Sequence, residues 1–110
     1  MRRCIVLSTT ASGDLDDIAE YTLRQWGPDQ AERYLAELQT TINDLAEAAE
    51  RHGRALDTLR KGLRFVRHKD HYFIFYRIMG EEVVVIRILH QRRDWPRLVQ
   101  AASEDDGAAQ

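Results

Sequence analysis

From about residue 13 to residue 51 the apolar residues of this chain keep one period, and from residue 63 onward a different one. Between Leu15 and Ala49 they return every three or four positions, and between Leu63 and Leu89 they fall in β-branched and aromatic runs. A 3.6-residue period lays side chains along one helix face, whereas runs of Val, Ile, Phe and Tyr suit a pleated, half-buried surface. A chain that holds both patterns has to pack helices on a sheet. That is an α+β architecture.

The helical block divides in two. Leu15, Ile18, Ala19, Thr22 and Trp26 predict a helix over 13–26, with Thr9, Thr10 and Ser12 offering N-cap oxygens and Asp14, Asp16 and Asp17 crowding its first turn. Gly27-Pro28 ends it, because glycine accepts a left-handed cap and proline is pre-set for the start of a new helix. Ala31, Tyr34, Leu35, Leu38, Ile42, Leu45 and Ala49 mark the face of a second helix over 29–51, so the two form an antiparallel hairpin. Residues 3–8 precede them as an opening strand, and 52–62 read as a loop.

Strands are expected over 63–69, 71–79 and 82–90, with Gly80-Glu81 as a tight hairpin loop. In the middle run Tyr72, Ile74, Tyr76 and Ile78 share one face, and Phe73, Phe75, Arg77 and Met79 the other. Leu35, Leu38 and Ile42 should then point toward Ile74 or Ile86. Asp94 to Ala102 predicts a last turn or short helix, and the small and acidic residues 103–110 predict a frayed tail. The expectation is one domain over 1–102: an N-terminal strand, a helical hairpin and a three-stranded antiparallel meander.

At 110 residues the chain suits one domain with a core of its own. No stretch approaches the ~20 apolar residues of a bilayer span, and no export signal is evident, so a cytoplasmic protein without membrane contact is expected. Cys4 is the single cysteine, which excludes an internal disulfide and a cysteine-built zinc site. The net charge of -2 hides a division. Residues 1–50 carry 4 basic and 10 acidic side chains, whereas 51–97 carry 12 basic and 5 acidic ones. A basic half of this kind attracts an acidic peptide, an acidic protein surface or nucleic acid.

No phosphate loop, nucleophile elbow or helical zinc motif is present. His68, His71 and His90 have no recognised ligand spacing, so neither a metal nor a cofactor is expected. Arg87, between Ile86 and Ile88, needs an anionic partner if buried, either Asp57, Asp70 or Asp94 or a bound phosphate. His90, Arg92 and Arg93 with Tyr76 have the chemistry of a metal-free ribonuclease: a base, cations for the phosphorane and a proton donor. The same basic strand end would equally serve protein contact. Residue types alone leave both open.

The ensemble Asp14-Leu15-Asp16-Asp17-Ile18 with Tyr21, Trp26-Gly27-Pro28, Gly62-Leu63-Arg64, Ile74-Phe75-Tyr76-Arg77 and Arg87-Ile88-Leu89-His90 resembles the ParE toxins of the RelE/ParE superfamily, over about residues 3–98. The resemblance implies the toxin of a type II toxin–antitoxin pair, neutralised by a ParD-like antitoxin that itself binds operator DNA. No direct DNA binding by this chain alone is then expected. ParE-like toxins are associated with DNA gyrase inhibition and RelE-like relatives with mRNA cleavage. RelE-like nucleases carry a strand arginine where this chain has Phe73; their second arginine has a match in Arg92, and their final-segment tyrosine has none. Other nuclease relatives end in histidine and tyrosine, and this chain ends in Ala-Ala-Gln. Arg93 stands where many ParE sequences have Met, and Glu50 to Leu56 lacks their usual proline.

The reading is therefore a non-enzymatic gyrase inhibitor, with a metal-free endoribonuclease using His90, Arg92 and Tyr76 as the alternative. Arg64, Arg77, Arg87, His90, Arg92, Arg93 and Trp95 are the expected target surface. Tyr21, Trp26, Tyr34, Leu38, Phe73 and Phe75 are the expected antitoxin contacts.

Overall fold

The computed structural model describes residues 2–101; Ala102 and the expected tail 103–110 lie outside the described residues. The order is β1 (Cys4–Leu7), α1 (Thr9–Trp26), α2 (Pro28–His52), β2 (Arg54–Ala55), β3 (Arg64–His68), β4 (Tyr72–Met79), β5 (Glu82–His90) and α3 (Trp95–Ala101). The sheet runs β1-β5-β4-β3-β2, with β1 parallel to β5 and every other pair antiparallel. The two-residue β2 falls inside the expected loop, too short to leave a pattern in the sequence.

α1 starts four residues earlier than its apolar spacing predicts. Ser8 caps it: its Oγ accepts from the Ala11 N–H at 2.9 Å and donates to the Ile86 carbonyl at 2.9 Å, tying the helix start to β5. Asp14 consequently sits in the second turn instead of the first, on the buried side. Gly27 (φ 84) ends α1 and Pro28 opens α2, as the sequence predicts.

Both sheet faces are covered. On the helix face Leu38, Ile42, Leu45 and Ala49 pack with Ile18 against Ile74, Tyr76, Val83, Val85 and Ile88. On the other face Phe73, Phe75, Ile86 and Leu89 pack with Leu63 and Val99, flanked by Trp95 and Leu98 of α3. Of the two candidate neighbours for the α2 stripe, Ile74 is therefore the true one and Ile86 lies on the far side. Leu38, Phe75 and Tyr76 are fully buried, so none of them offers a contact to a partner or substrate.

A bulge puts Ile86 and Ile88 on different faces. Phe75 stands opposite Arg87 but Tyr76 stands opposite Val85, leaving Ile86 as an additional residue. A bulge re-aims the side chains beside it. Here Val85 and Ile88 both reach the helix face, and Arg87 turns toward α1.

α2 bends at Ala48 (φ -132, ψ 24). The carbonyls around the bend are taken up by the sheet. Arg3 N–H bonds Ala46 O at 2.6 Å, the Tyr76 hydroxyl donates to Ala49 O, and Arg64 Nη2 donates to Glu50 O and Gly53 O at 3.0 and 2.8 Å. Gly53 is required by this arrangement, since a Cβ there would overlap the Tyr76 hydroxyl. Gly53→Ala is expected to cost about 1–3 kcal/mol by displacing a buried, bonded ring, read as a lower urea midpoint with an unchanged slope.

Candidate functional site

An open groove of about 800 Å³ runs between the C-terminal half of α1, the N-terminal half of α2 and the adjoining end of the sheet. Tyr21, Trp26, Tyr34 and Tyr72 line it with His71, His90, Arg33, Glu37 and Lys69. Tyr21 lies beside the buried Ile18–Thr22 stripe of α1 and Trp26 at its C-terminal end, and they are 54% and 61% exposed. Exposed aromatics beside a groove are surplus to the core, and such surfaces mark interaction sites.

The wall from the β3–β4 turn is held to α2 by polar contacts. Lys69 Nζ lies 2.6 Å from Glu37 Oε1 and 5.7 Å above the Tyr34 ring. The Tyr34 hydroxyl is 3.1 Å from His71 Nδ1. Burial, then the neighbouring Tyr72 and Glu37, push the Tyr34 phenol up to about 12, so it keeps its proton at any working pH. The hydrogen bond from Lys69, and then its charge, hold the Glu37 carboxyl below its ordinary range.

His90 packs edge-on against Tyr72, its cross-strand partner, at 5.4 Å. Its Nδ1 accepts the Arg92 backbone N–H at 3.1 Å, which places the ring proton of the neutral form on Nε2. Burial, then Arg92 and His71, push its pKa down, so this neutral form prevails at pH 7.

His68 lies beneath α2, with Nδ1 2.7 Å from Thr41 Oγ1 and Nε2 buried without a partner. Burial, then Lys69, depress its pKa below the ordinary 6.5. The unfolded chain therefore binds a proton here before the folded chain does, and stability falls with pH below about 6.5. Thermal melts between pH 7.5 and 5 are expected to show a steeper decline in wild type than in His68→Gln. Parallel declines would remove His68 as the cause.

The seven expected target residues do not form one surface. His90, Arg92 and Arg93 share the groove end, the latter two exposed. Arg64 and Arg77 lie toward the opposite strand ends, where Arg64 faces Tyr76 and Arg77 faces Val84. That is four to five residues along from the Tyr72–His90 pair, or about 13–17 Å. Arg87 is held in the middle. Its Nε and Nη2 donate to Asp14 Oδ2 and Oδ1 at 2.9 and 3.0 Å, and Asp14 also accepts the Ile88 N–H at 2.9 Å. The carboxylate is Asp14, not Asp57, Asp70 or Asp94. Trp95 is half-buried on the far face against Phe73 and Phe75, at 5.6 and 5.5 Å.

Of the six expected antitoxin contacts, Tyr21, Trp26 and Tyr34 line the groove. Leu38, Phe73 and Phe75 belong to the core. Sequence reasoning passed over Arg33, Lys69, His71 and Tyr72 in the groove and Asp14 beneath the bulge. The available signal was Trp26 and Tyr21, two large aromatics of an otherwise polar helix.

The family profile described as "ParE toxin of type II toxin-antitoxin system, parDE" matches residues 5–95. The chain belongs to the ParE toxin family. Among similar members, Toxin ParE1 of Mycobacterium tuberculosis (strain H37Rv) is 46% identical over 93 residues, covering 84% of this chain and 93% of its own. Toxin ParE of Escherichia coli is 38% identical over 89 residues, covering 81% and 85%. This ParE-family fold also superposes on solved structures. The chromosomal ParDE toxin–antitoxin system of P. aeruginosa matches with a TM-score of 0.71 at 21% identity, over 81% of this chain and 96% of that one. The RelBE2 toxin–antitoxin complex of Mycobacterium tuberculosis matches with 0.64 at 26% identity, over 83% and 100%. Among the described residues, no helix is long and apolar enough to cross a membrane.

Proposed function

We propose that this ParE-family toxin acts by binding a protein target, DNA gyrase, and that a ParD-like antitoxin neutralises it by seating an amphipathic segment in the α1–α2 groove. One observation carries the choice of binding over RNA cleavage: the candidate base and the candidate acid are apart and both are engaged. Tyr76 is buried with its hydroxyl on Ala49 O, four strand positions (about 13 Å) from the Tyr72–His90 pair. The His90 Nδ1 lone pair is used by the Arg92 N–H, and Nε2 carries the ring proton. A general base needs a free lone pair within reach of the hydroxyl it deprotonates. Neither ring offers what a 2′-hydroxyl attack requires.

The exposed cations Arg92 and Arg93 beside His90 suit a protein surface, since arginine is prominent among residues that dominate binding energy. For the antitoxin, the support is the pair of exposed aromatics in a groove bordered by cations, a combination that takes an amphipathic acidic segment.

The test compares His90→Gln with wild type in gyrase supercoiling and in ribosome-bound mRNA cleavage, using chain purified free of antitoxin. Gyrase inhibition is expected to persist in the variant within about fivefold, the cost of one peripheral contact of ~1 kcal/mol. mRNA cleavage that drops ~10²-fold or more in the variant with folding intact would establish the ribonuclease instead.

A further inference from the structure

The fold gathers a second set of cations far from the groove. The last turn of α2, β2 and the loop before β3 bring together Arg51, Arg54 and Lys61, all exposed, around Arg64. Backbone pairing joins these segments: Arg54 lies opposite Phe65, Ala55 opposite Arg64, and the Leu56 N–H bonds Leu63 O. The carboxylates of the last two turns of α2 and of the loop before β3 are already engaged. Glu47 and Glu50 pair with Arg2 and Arg3 at 2.7 and 2.6 Å, and Asp57 accepts the Gly62 N–H at 2.9 Å. Among the described residues no carboxylate pairs with Arg51, Arg54 or Lys61.

Attraction to the negative end of the α2 dipole accounts for Arg51. It leaves Arg54 and Lys61, beyond the helix, unexplained. The large exposed apolar side chains lie elsewhere, with Tyr21, Leu23 and Trp26 on α1 and Met79 at the β4–β5 hairpin. A protein interface is organised around a buried apolar or aromatic centre, which this cluster lacks. Unpaired cations without such a centre are the footprint of contact with phosphates.

We propose that the Arg51–Arg54–Lys61 surface binds the phosphate backbone of nucleic acid without reading sequence, independently of the partners of the groove end. This departs from the expectation that the chain makes no DNA contact of its own. The sequence shows a basic half, whereas the folded chain divides its exposed cations between the groove end and this one.

The experiment measures anisotropy of a fluorescein-labelled 24-base-pair DNA duplex and of a 24-nucleotide RNA against the full chain between 50 and 200 mM NaCl. Binding is expected to be sequence-independent and to weaken steeply with salt. The triple substitution Arg51→Gln, Arg54→Gln, Lys61→Gln is expected to lower affinity at 50 mM salt at least tenfold and to flatten the log–log salt slope by about 2 to 3, since each neutralised phosphate contributes ~0.9. Arg92→Gln with Arg93→Gln is expected to leave the binding within twofold. The double substitution Arg54→Gln, Lys61→Gln carries the test if the triple variant fails to fold. The proposal is overturned if no salt-dependent binding occurs, if the Arg92 and Arg93 substitutions abolish it instead, or if polyglutamate of equal charge competes as well as the duplex, which would assign the surface to an acidic protein.

Discussion

Asp14→Ala is expected to destabilise the domain by about 3–5 kcal/mol, the cost of removing one partner from a buried ion pair. Asp14 is 9% exposed, and its two oxygens serve Arg87 twice and the Ile88 N–H once. The substitution therefore deprives a mostly buried guanidinium of its carboxylate and leaves a buried N–H at the bulge unsatisfied. Total stabilities of single domains are about 5–15 kcal/mol, so much of this one is at stake. Asp14→Asn should cost less, because an amide oxygen still serves Ile88. Urea unfolding of both variants and of the Asp14→Ala, Arg87→Met double variant is the check. The double variant is expected to recover a large part of the loss. A single Asp14→Ala variant within 1 kcal/mol of wild type would mean that the bulge holds itself.

The second large effect separates core from contact surface. Leu38→Ala is expected to cost about 2–5 kcal/mol, because Leu38 is fully buried beneath α2 and its removal leaves a cavity. Trp26, 61% exposed, should behave in the opposite way. Trp26→Ala is expected to leave the melting temperature within a few degrees while weakening antitoxin binding by ~2 kcal/mol, about thirtyfold. The antitoxin for this measurement is the chain that co-purifies when the native operon is expressed. Both variants reduce complex formation, and only the melting curve of the isolated toxin tells them apart. A Leu38→Ala toxin as stable as wild type would place that side chain on the docking surface.

These two residues show where reading the sequence stopped being sufficient. Leu38 and Trp26 both lie on helical apolar stripes, and both were expected at the antitoxin surface. Periodicity assigns a residue to a helix face but carries no information about how wide a stripe the sheet covers. The sheet reaches Leu38 and stops short of Trp26. Phe75 failed as a contact for a related reason. Its strand is apolar on both faces, and α3 together with the loop before β3 covers the second face, as the pairing of Phe73 and Phe75 with Trp95 records.

The helical hairpin, the Gly27-Pro28 break, the meander and its Gly80-Glu81 turn were determined by the sequence, because each depends on neighbours within about four residues: period, cap and turn chemistry. So was family membership, through motifs spread over most of the chain. Tertiary structure alone decided the rest. The additional residue Ile86 in β5 swings Arg87 to Asp14, 73 positions away in sequence, and no local pattern specifies a bulge or its partner. Strand register sets Arg64 and Arg77 at one end of the sheet and His90, Arg92 and Arg93 at the other. A one-dimensional count of basic residues could not make that division, because charge acts through space and the register that converts position into distance exists only once the strands have paired.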